Sequence, residues 1–390
     1  MFRRRLALHF SVLIVGAAVI RVGVIPAEVC PPIDGATASR AIDDAVRWIV
    51  TGMGPEGRYT YGYHRGEDQV NPGYNGPRHA GVTMSLYQAH AFTGSSEALA
   101  GADRALEFAL QGMFTHGDFV AWDVLGEVNT GANGLLLAAL AIRREATGDP
   151  RHDELMRGIG RFLLVQQYPD GSVSGYWHRS TGTSDPTFGT YSTGEASWAL
   201  ALLDHAFPGE GWGEAAARTV DYMATDRDRR EGRLTRLPDH WAAYTISELR
   251  PDLLTEERVD YARQLAGYFG MRLRFEAQRR GDGINLALRW FPGPPAGVGT
   301  AGEGIGALWT IGDDPRLADL QPNIEERMLC TAGFMAQRQV TASEAADALR
   351  PDLQRGAWFY RGYTQMDDQQ HVLSSLLYAL TLIESREDGR

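Results

Sequence analysis

Three short stretches decide the fold: Leu135–Ile142 reads LLLAALAI, Trp198–Leu203 reads WALALL, and Leu373–Leu382 reads LSSLLYALTL. Each stretch is apolar on nearly every side, and a helix of that kind is buried all round. Three weaker members, His79–Phe92, Trp241–Leu249 and Gly304–Ile311, bring this class of segment to six. We therefore predict six inner helices that have no solvent-exposed face.

A second class of segment is amphipathic at helical spacing and alternates strictly with the first class. In one of them, Ala102, Leu106 and Ala109 fall on a single apolar stripe. The six members are Ala41–Val50, Ala98–Leu110, Leu155–Val165, Ala215–Met223, Val259–Phe269 and Ile324–Met335. We predict that these segments form six outer helices, each with one face in solvent.

A short glycine-bearing piece lies between each outer and inner segment. The six pieces are Glu56–Tyr59, His116–Phe119, Asp170–Val173, Glu231–Leu234, Asp282–Ile284 and Arg355–Trp358. Glycine beside aromatic or branched residues suits the tight turn of a small hairpin. Six helix pairs without a βαβ pattern predict an all-α fold, a closed (α/α)6 toroid with short β-hairpin-like loops. A linear solenoid is the alternative arrangement.

The chain divides at its N-terminal end. Residues 1–27 begin Met-Phe-Arg-Arg-Arg and continue with a largely apolar run over Leu6–Ile25, which is typical of a signal peptide cleaved near Ala27. An uncleaved N-terminal anchor is the alternative. No linker divides residues 28–390, which we predict to be one toroid domain. We expect an exported protein, periplasmic or secreted, whose only tether to a membrane would be the N-terminal segment.

Cys30 and Cys330 are the two cysteines of the chain. Cys30 precedes the first outer segment and Cys330 lies in the sixth, so closure of the ring places them side by side. A disulfide between them would lock the ring, while two unpaired buried thiols are the alternative.

The alternation of segments resembles the six-hairpin α/α-toroid superfamily, which includes many glycoside hydrolases, polysaccharide lyases and sugar epimerases. Terpene cyclases share a related toroid. The resemblance covers nearly the whole mature chain and rests on architecture. It implies carbohydrate chemistry as an expectation, but the reaction has to be argued from the site.

Composition excludes several classes of function. All 38 basic residues are arginine, so Schiff-base, pyridoxal-phosphate and Walker-type phosphate chemistry lack their lysine. The net charge of −11 includes four arginines in the first 26 residues and leaves the body more acidic still, which disfavours nucleic acid as a partner. No spacing of residues indicates a cofactor or a metal ion.

In a toroid, the loops that precede the inner helices meet at one opening, which we call the mouth. Ionisable residues recur at the equivalent position of each repeat, just before the inner helix begins. Hydrolysis of a glycosidic bond needs one carboxyl group with a raised pKa and one carboxylate as base or nucleophile. Our catalytic candidates are Glu195 and Glu303 as acids, and Asp239 and Asp368 as bases. Each of these carboxylates is also suited to a helix cap.

Further residues near the same phase are predicted to bind substrate, because aromatic faces stack on sugar rings while acids and amides bind hydroxyls. They are Tyr74, Arg78, His79, Asp123, Asn129, Asn133, Tyr191, His240, Trp241, Trp290, Trp358, Tyr363, Asp367 and His371. Asp123 is also a third candidate for the base. His371 follows Asp368 by one helical turn and is expected to orient a carboxylate or bind a hydroxyl.

These features predict an exported enzyme that hydrolyses an oligo- or polysaccharide. A polysaccharide lyase or uronate C5-epimerase is the nearest alternative, with Arg78 and His79 beside Tyr74, or His240 beside Tyr244, as its reacting groups. A noncatalytic glycan-binding or scaffold protein is another. A terpene-cyclase-like enzyme is the last, since Gln167–Ser172 resembles the Gln-x-x-x-Gly repeat of those enzymes.

Overall fold

A computed structural model of the 390-residue chain describes residues 2–20, 27–232, 238–279 and 292–389. It confirms all twelve predicted helices as six successive hairpins, which we number 1–6. The outer helices are Gly35–Thr51, Ser96–Leu110, Asp153–Gln166, Trp212–Thr225, Glu256–Ala277 and Gln321–Arg338. The inner helices are Gly76–Thr93, Thr130–Thr147, Ser192–Ala206, His240–Glu248, Pro295–Trp309 and Met366–Asp388.

The inner helices form a closed ring. Each inner helix packs against the next, and inner helix 6 packs against both inner helix 5 and inner helix 1. Across this closure the Ser374 hydroxyl donates a 2.8 Å hydrogen bond to Oε1 of Gln88. The fold is therefore the predicted toroid, and the solenoid alternative is wrong.

The two hydrophobicity classes correspond to the two layers of the ring. In inner helix 2 every residue from Thr130 to Ala141 is buried, because neighbouring helices cover it on all sides. Outer helix 2 buries one face, which includes Ala102, Leu106 and Ala109, and exposes the opposite face. The outer layer thus shields the inner ring from water, as the amphipathic pattern requires.

Short strands fill the loops between helices. They are β1 Gly62–His64, β2 Gln69–Asn71, β3 Met113–His116, β4 Phe119–Trp122, β5 Val128–Asn129, β6 Tyr176–His178, β7 Thr183–Ser184 and β8 Tyr363–Gln365. Strands β3 and β4 form the predicted hairpin, in which Gly117 has a left-handed φ of 58°. Strand β1 pairs antiparallel with both β2 and β8, with Tyr63 opposite Thr364. That sheet joins hairpin 1 to the end of the chain.

A disulfide joins Cys30 to Cys330 across 300 positions of sequence, as predicted. The segment around Cys30 is also held by backbone and charge contacts: Val29 N–H donates 2.9 Å to the Ala277 carbonyl, and Glu28 pairs with Arg274 at 2.9 Å. These contacts fasten the start of hairpin 1 to outer helices 5 and 6. Because the bond closes so long a loop, it constrains the unfolded chain strongly.

The chain has one further long helix, Phe2–Val19, in the segment predicted to be a signal or anchor. Among the described residues, none of the helices combines the length and apolarity that crossing a bilayer requires. Short helices cover Arg227–Arg230 and Ala342–Ala345, and 3-10 turns cover Pro251–Leu253, Ala318–Leu320 and Pro351–Leu353.

Three glycines of the predicted turns pack closely against outer helices. Gly57, Gly171 and Gly356 have left-handed φ angles of 87°, 87° and 81°. Each also lies against a backbone carbonyl of another outer helix, so that a Cβ there would approach the oxygen to 2.2–2.3 Å. The carbonyls belong to Arg104 for Gly57, to Arg218 for Gly171 and to Asp44 for Gly356. The predicted turn over Asp282–Ile284 lies outside the described residues.

We expect Gly356→Ala to destabilise the protein more than Gly94→Ala does, measured by thermal or urea unfolding. Gly94 is equally left-handed, with a φ of 72°, but has no atom within 4 Å of a Cβ position. Gly94→Ala should cost about 1–2 kcal/mol for its backbone conformation. Gly356→Ala should cost roughly 1–3 kcal/mol more, because the methyl group meets the Asp44 carbonyl. Equal losses in the two variants would contradict this account of ring closure.

Candidate functional site

A cavity of about 440 Å³ opens where the N-terminal ends of the inner helices meet. Every inner helix contributes to its wall, from hairpins 1 to 6 in turn: Arg78, Leu135, Glu195, His240, Gly297 and His371. Its volume is within the range of small-molecule sites, roughly 300–1,000 Å³. Ring closure therefore brings residues from the whole chain to one opening.

The cavity brings together seven of the residues predicted from sequence. They are Arg78, Tyr191, Glu195, His240, Trp241, Asp367 and His371. Arg78 Nε pairs with Asp367 Oδ2 at 3.1 Å, which ties inner helix 1 to inner helix 6 at the rim. The Arg78 guanidinium also donates to the Tyr61 hydroxyl. Because the charges of Arg78 and Asp367 cancel, this part of the cavity rim is polar without a net charge.

Two histidines and one glutamate form the most tightly coupled group at the cavity. Glu303 has no exposed surface, and its Oε2 lies 2.7 Å from Nδ1 of His371. His240 Nε2 lies 3.6 Å from the same Oε2, and the two imidazole centroids are 5.2 Å apart. The Tyr244 hydroxyl donates to Oε1 of Glu303 at 3.4 Å. Glu303 thus lies under the cavity floor and supports two histidines that face the cavity.

The environments of these two histidines shift their pKa values in opposite directions. Burial, helped by the charges of His371 and Arg272, lowers the pKa of His240 well below its usual 6.5. Burial also acts to lower the pKa of His371, but the adjacent Glu303 carboxylate outweighs it and raises that pKa. At neutral pH the pair therefore contains one neutral imidazole and one that favours its proton.

Glu195 is the one predicted acid that reaches the cavity wall. Burial and then the negative charge of Asp239 raise its pKa to about 8, against a smaller opposing effect of Arg227. Its carboxyl group lies directly on Gly131, where a Cβ would overlap Oε2. Glu195 is consequently protonated over much of the neutral range.

The two predicted bases, Asp239 and Asp368, form hydrogen bonds with backbone N–H groups at the N-terminal ends of helices. Asp239 is fully buried, accepts from Trp241 N–H at 3.0 Å and pairs with Arg227 at 2.5 Å. Asp368 accepts from the backbone N–H groups of Ala296 and Gln365, both at 2.9 Å. Because these contacts occupy their oxygens and neither residue lines the cavity, the structure does not support a catalytic role for them.

Two of the predicted substrate-binding residues belong to an aromatic cluster under hairpin 1. The Tyr74 hydroxyl lies 2.6 Å from Nδ1 of His79, and Nε2 of His79 lies 3.0 Å from the Ala105 carbonyl. His79 has no exposed surface. Neither residue lines the cavity, and their polar atoms are bonded within the fold, so the structure does not bring these two residues to the site.

Three other residues that we predicted to bind substrate form hydrogen bonds with the main chain of the protein. Asn129 caps inner helix 2 by accepting from Ala132 N–H at 2.9 Å. Asn133 is fully buried and bonds both the N–H and the carbonyl of Trp122. Trp358 is fully buried, and its indole N–H donates 2.8 Å to the Met335 carbonyl. They lie at the expected phase of the repeat but point into the core.

Tyr363 and Asp123 lie in the loops, away from the cavity wall. The Tyr363 hydroxyl accepts from Asn71 at 2.7 Å, and Asp123 pairs with Arg179 at 2.6 Å. These contacts join neighbouring loops, so the structure does not place either residue in the site. Trp290, the last predicted residue, lies outside the described residues.

The wall also contains residues that sequence reasoning missed, and two of them, Tyr268 and Arg272, lie on outer helix 5. That helix has 22 residues, whereas the other outer helices have 14–18. The prediction ended it at Phe269, but it continues to Ala277, and its last turns reach the mouth. The sequence does contain an indication of the longer helix, because the helical spacing of Leu265, Phe269 and Leu273 continues past the predicted end.

One group of side chains at the cavity has the composition of a metal site. The ligand atoms of His240, Glu303 and His371 all lie within 4.8 Å of one another. His240 Nε2 is buried and finds no hydrogen-bond partner among the residues that the structure describes. Two imidazoles and a carboxylate are donors that zinc and other transition metals accept. The same three residues equally form a hydrogen-bonded acid–base group, so the two chemistries need a direct test.

Comparison with known proteins supports the fold. Neither a protein-family model nor a curated protein matches the sequence. Among solved structures, a D-mannose isomerase superposes with a TM-score of 0.61 at 11% identity, over 89% of this chain and 98% of the other. Cellobiose 2-epimerase from Spirochaeta thermophila gives 0.61 at 14% identity, over 90% and 96%. A glycoside hydrolase family 76 α-mannanase from Bacteroides thetaiotaomicron gives 0.60 at 10% identity, over 90% and 97%.

The fold also occurs outside sugar chemistry. A type II terpene cyclase from Scytonema superposes with a TM-score of 0.56 at 12% identity, over 89% of this chain and 99% of the other. At such identities the likeness concerns architecture alone. The protein is therefore a six-hairpin α/α toroid, as its alternating segments predicted.

Proposed function

We propose that the protein is a carbohydrate-active enzyme that moves a proton at the carbon next to a sugar carbonyl, as isomerases and epimerases do. The observation that carries the proposal is the pair His240 and His371. Their rings are 5.2 Å apart at the cavity, and their pKa values are shifted in opposite directions. Pairs of groups whose environments separate their pKa values are suited to act as base and acid.

In this mechanism His240, as a neutral imidazole, accepts the proton from the carbon beside the carbonyl of an open-chain sugar. The electron pair of that C–H bond forms the C=C bond of an enediol, and the carbonyl oxygen takes a proton from His371. In the second step the enediol takes a proton back onto carbon, and one of its hydroxyls returns a proton to His371 and becomes the carbonyl. Protonation of the neighbouring carbon, with loss of the hydroxyl proton on the carbon that first reacted, gives the isomer. Protonation of the same carbon on its opposite face, with loss of the hydroxyl proton gained in the first step, gives the epimer. Glu303 holds His371 in place and favours its protonated form.

The cavity wall suits a small sugar. Trp241, Tyr191 and Tyr268 offer aromatic faces, and the Arg78–Asp367 pair with Gln370 offers donors and acceptors for hydroxyls. The fold likeness to a mannose isomerase and a cellobiose epimerase supports the same class of reaction. A substrate of one or two sugar units fits a cavity of this size better than a long polymer.

Glycoside hydrolysis is the second candidate, and one observation favours it. Glu195 lines the cavity with a pKa raised to about 8, which is the state required of a general acid. Asp367 is the other carboxylate of the wall, although Arg78 pairs with it. The family 76 mannanase fold likeness supports this reading.

We also propose that the protein is exported. The N-terminal segment supports export, because a basic start followed by an apolar run is typical of a signal peptide. The Cys30–Cys330 disulfide supports it as well, because such bonds persist in oxidising compartments.

We expect His240→Asn and His371→Asn each to reduce turnover about 100- to 10,000-fold, because each removes one partner of the proton transfer. Turnover is measured by NMR on mannose, fructose, glucose and cellobiose in D2O, where proton transfer places deuterium on carbon and hydrolysis does not. The control is His178→Asn, which changes an exposed histidine on β6.

Release of reducing sugar without deuterium incorporation would reject proton transfer in favour of hydrolysis. The assay is repeated with EDTA and then with added Zn²⁺ or Mn²⁺. Imidazole acid–base catalysis should persist in EDTA. Activity lost on chelation and restored by one metal would assign His240, Glu303 and His371 to metal binding instead.

The pH profile gives a separate prediction about Glu303. Activity should rise as pH passes the pKa of His240, which is below 6.5, and fall as pH passes the raised pKa of His371. Glu303→Gln removes the charge that holds the proton on His371, so the alkaline limb should move to lower pH by about one unit or more. An unmoved alkaline limb, with kcat reduced, would show that Glu303 acts by packing alone.

We expect Glu195→Gln to stabilise the fold at pH 8 but not at pH 4.5. Above its ordinary pKa of 4.5 a glutamate ionises in the unfolded chain, whereas Glu195 keeps its proton in the folded chain up to about pH 8. Stability is therefore lost as pH rises through this window, and glutamine escapes the loss. Tm at pH 8 should rise by roughly 2–5 °C relative to Glu107→Gln, a change on the exposed face of outer helix 2.

Loss of hydrolysis in Glu195→Gln, with no effect on deuterium exchange, would favour the second candidate. A Tm that changes equally at both pH values would contradict a raised pKa for Glu195.

A further inference from the structure

Among the cavity-wall residues that the structure describes, Arg272 is the cationic side chain without a described carboxylate partner. It projects from the extended end of outer helix 5 and lines the cavity beside Tyr268 and Gly297. Among the described residues no carboxylate oxygen lies within ion-pair distance of its guanidinium, and it makes no hydrogen bond to them. An arginine is charged at every physiological pH, so this charge faces the cavity without a counterion from the described part of the chain.

The contrast with the other arginines of this region is informative. Arg78, across the cavity, is paired with Asp367 at 3.1 Å. Arg274, two residues beyond Arg272 on the same helix, is paired with Glu28 at 2.9 Å. Arg279 is paired with Glu276 at 3.2 Å. In a chain whose net charge is −11, carboxylates are plentiful, yet Arg272 has no carboxylate partner in residues 27–232, 238–279 and 292–389.

Arg272 has a defined position at the cavity wall. Its guanidinium lies against Gly297 in the first turn of inner helix 5, where a Cβ would come within 2.5 Å of Nη2. The absence of a side chain at Gly297 therefore makes room for the guanidinium itself. The Asp368 carboxylate caps the same helix start through Ala296 N–H, at 2.9 Å, so Arg272 is the positive feature on this side of the cavity.

We propose that the substrate is a sugar that carries an anionic group, a carboxylate or a phosphate, and that Arg272 binds this group. The guanidinium fork matches the oxygens of either group with two parallel hydrogen bonds. This inference rests on the proposed function and deepens it by naming the class of sugar. The anion would lie at the outer helix 5 side of the cavity, with the reacting carbon toward His240 and His371 at the floor.

Arg272 is then a specificity residue: it discriminates between charged and neutral sugars, and it does not take part in proton transfer. Its charge also lowers the pKa of His240, so it lies near enough to the base to act on it. Neutralisation by a bound anion would weaken that effect. The acidic body of the protein keeps polyanionic polymers away, whereas a small monoanion reaches the mouth with less repulsion.

Calorimetry on the full chain tests the inference with four probes at low and physiological salt: glucuronate, glucose 6-phosphate, glucose and inorganic phosphate. We expect one of the two anionic sugars to bind the wild-type protein at least 10-fold more tightly than glucose. The comparison between glucuronate and glucose 6-phosphate shows whether the group is a carboxylate or a phosphate. Arg272→Met should weaken that sugar about 10- to 100-fold and leave glucose unchanged.

Arg274→Met is the matched control, because it removes the same charge two residues along the same helix. It should bind all four probes as the wild type does. Arg272→Lys should recover part of the affinity, since it restores the charge but not the fork.

Glucose binding as tightly as both anionic sugars would overturn the inference, as would an Arg272→Met variant that binds them normally. Binding of inorganic phosphate as tightly as glucose 6-phosphate means an adventitious ion only, and would overturn it too. The proposed function fails independently, if anionic sugars bind through Arg272 but no sugar exchanges a carbon-bound proton.

Discussion

Inner helix 6 packs against inner helix 1, and this contact between the two ends of the chain turns six similar hairpins into a ring. Several bonds reinforce it: Ser374 donates to Gln88 across 286 positions, β8 pairs with β1, and Gly356 lies on the carbonyl of Asp44. The inner helices gain a complete apolar surround only when the ring closes. Since burial of apolar surface drives folding, the cavity at the centre is a consequence of closure.

Closure also determines the chemistry at the mouth. All six inner helices start at the same opening, so the residues of their first turns lie around a common space. Glu303 is the clearest result, because it is fully buried and reaches His371 and His240 from a different helix than either. A carboxylate in that position costs desolvation energy, which its hydrogen bonds to His371 and Tyr244 offset in part. Such costs are typical of active sites.

The acidic residues at the mouth divide into two groups that their sequence positions do not distinguish. Asp239 and Asp368 each accept hydrogen bonds from backbone N–H groups at helix starts, whereas Glu195 lines the cavity and its carboxyl group lies on Gly131. All three lie within the same turn of the repeat. Their roles differ because the short aspartate side chain folds back on the backbone, while the glutamate reaches one bond further over Gly131.

The amino-acid sequence by itself determined the twelve helices and their alternation, because hydrophobic periodicity reports how many sides of each helix are covered. It favoured a closed ring over a linear solenoid, and the contact of inner helix 6 with inner helix 1 decided between them. It also indicated the mouth as the place where Arg78, His240 and His371 would meet. Only the tertiary structure decided which side chains face the cavity. Its coupling of His240 to His371 through Glu303, and the arrival of Arg272 from an outer helix, depend on contacts between distant segments. No local pattern records such contacts, since each residue's neighbours are set by how the ring packs.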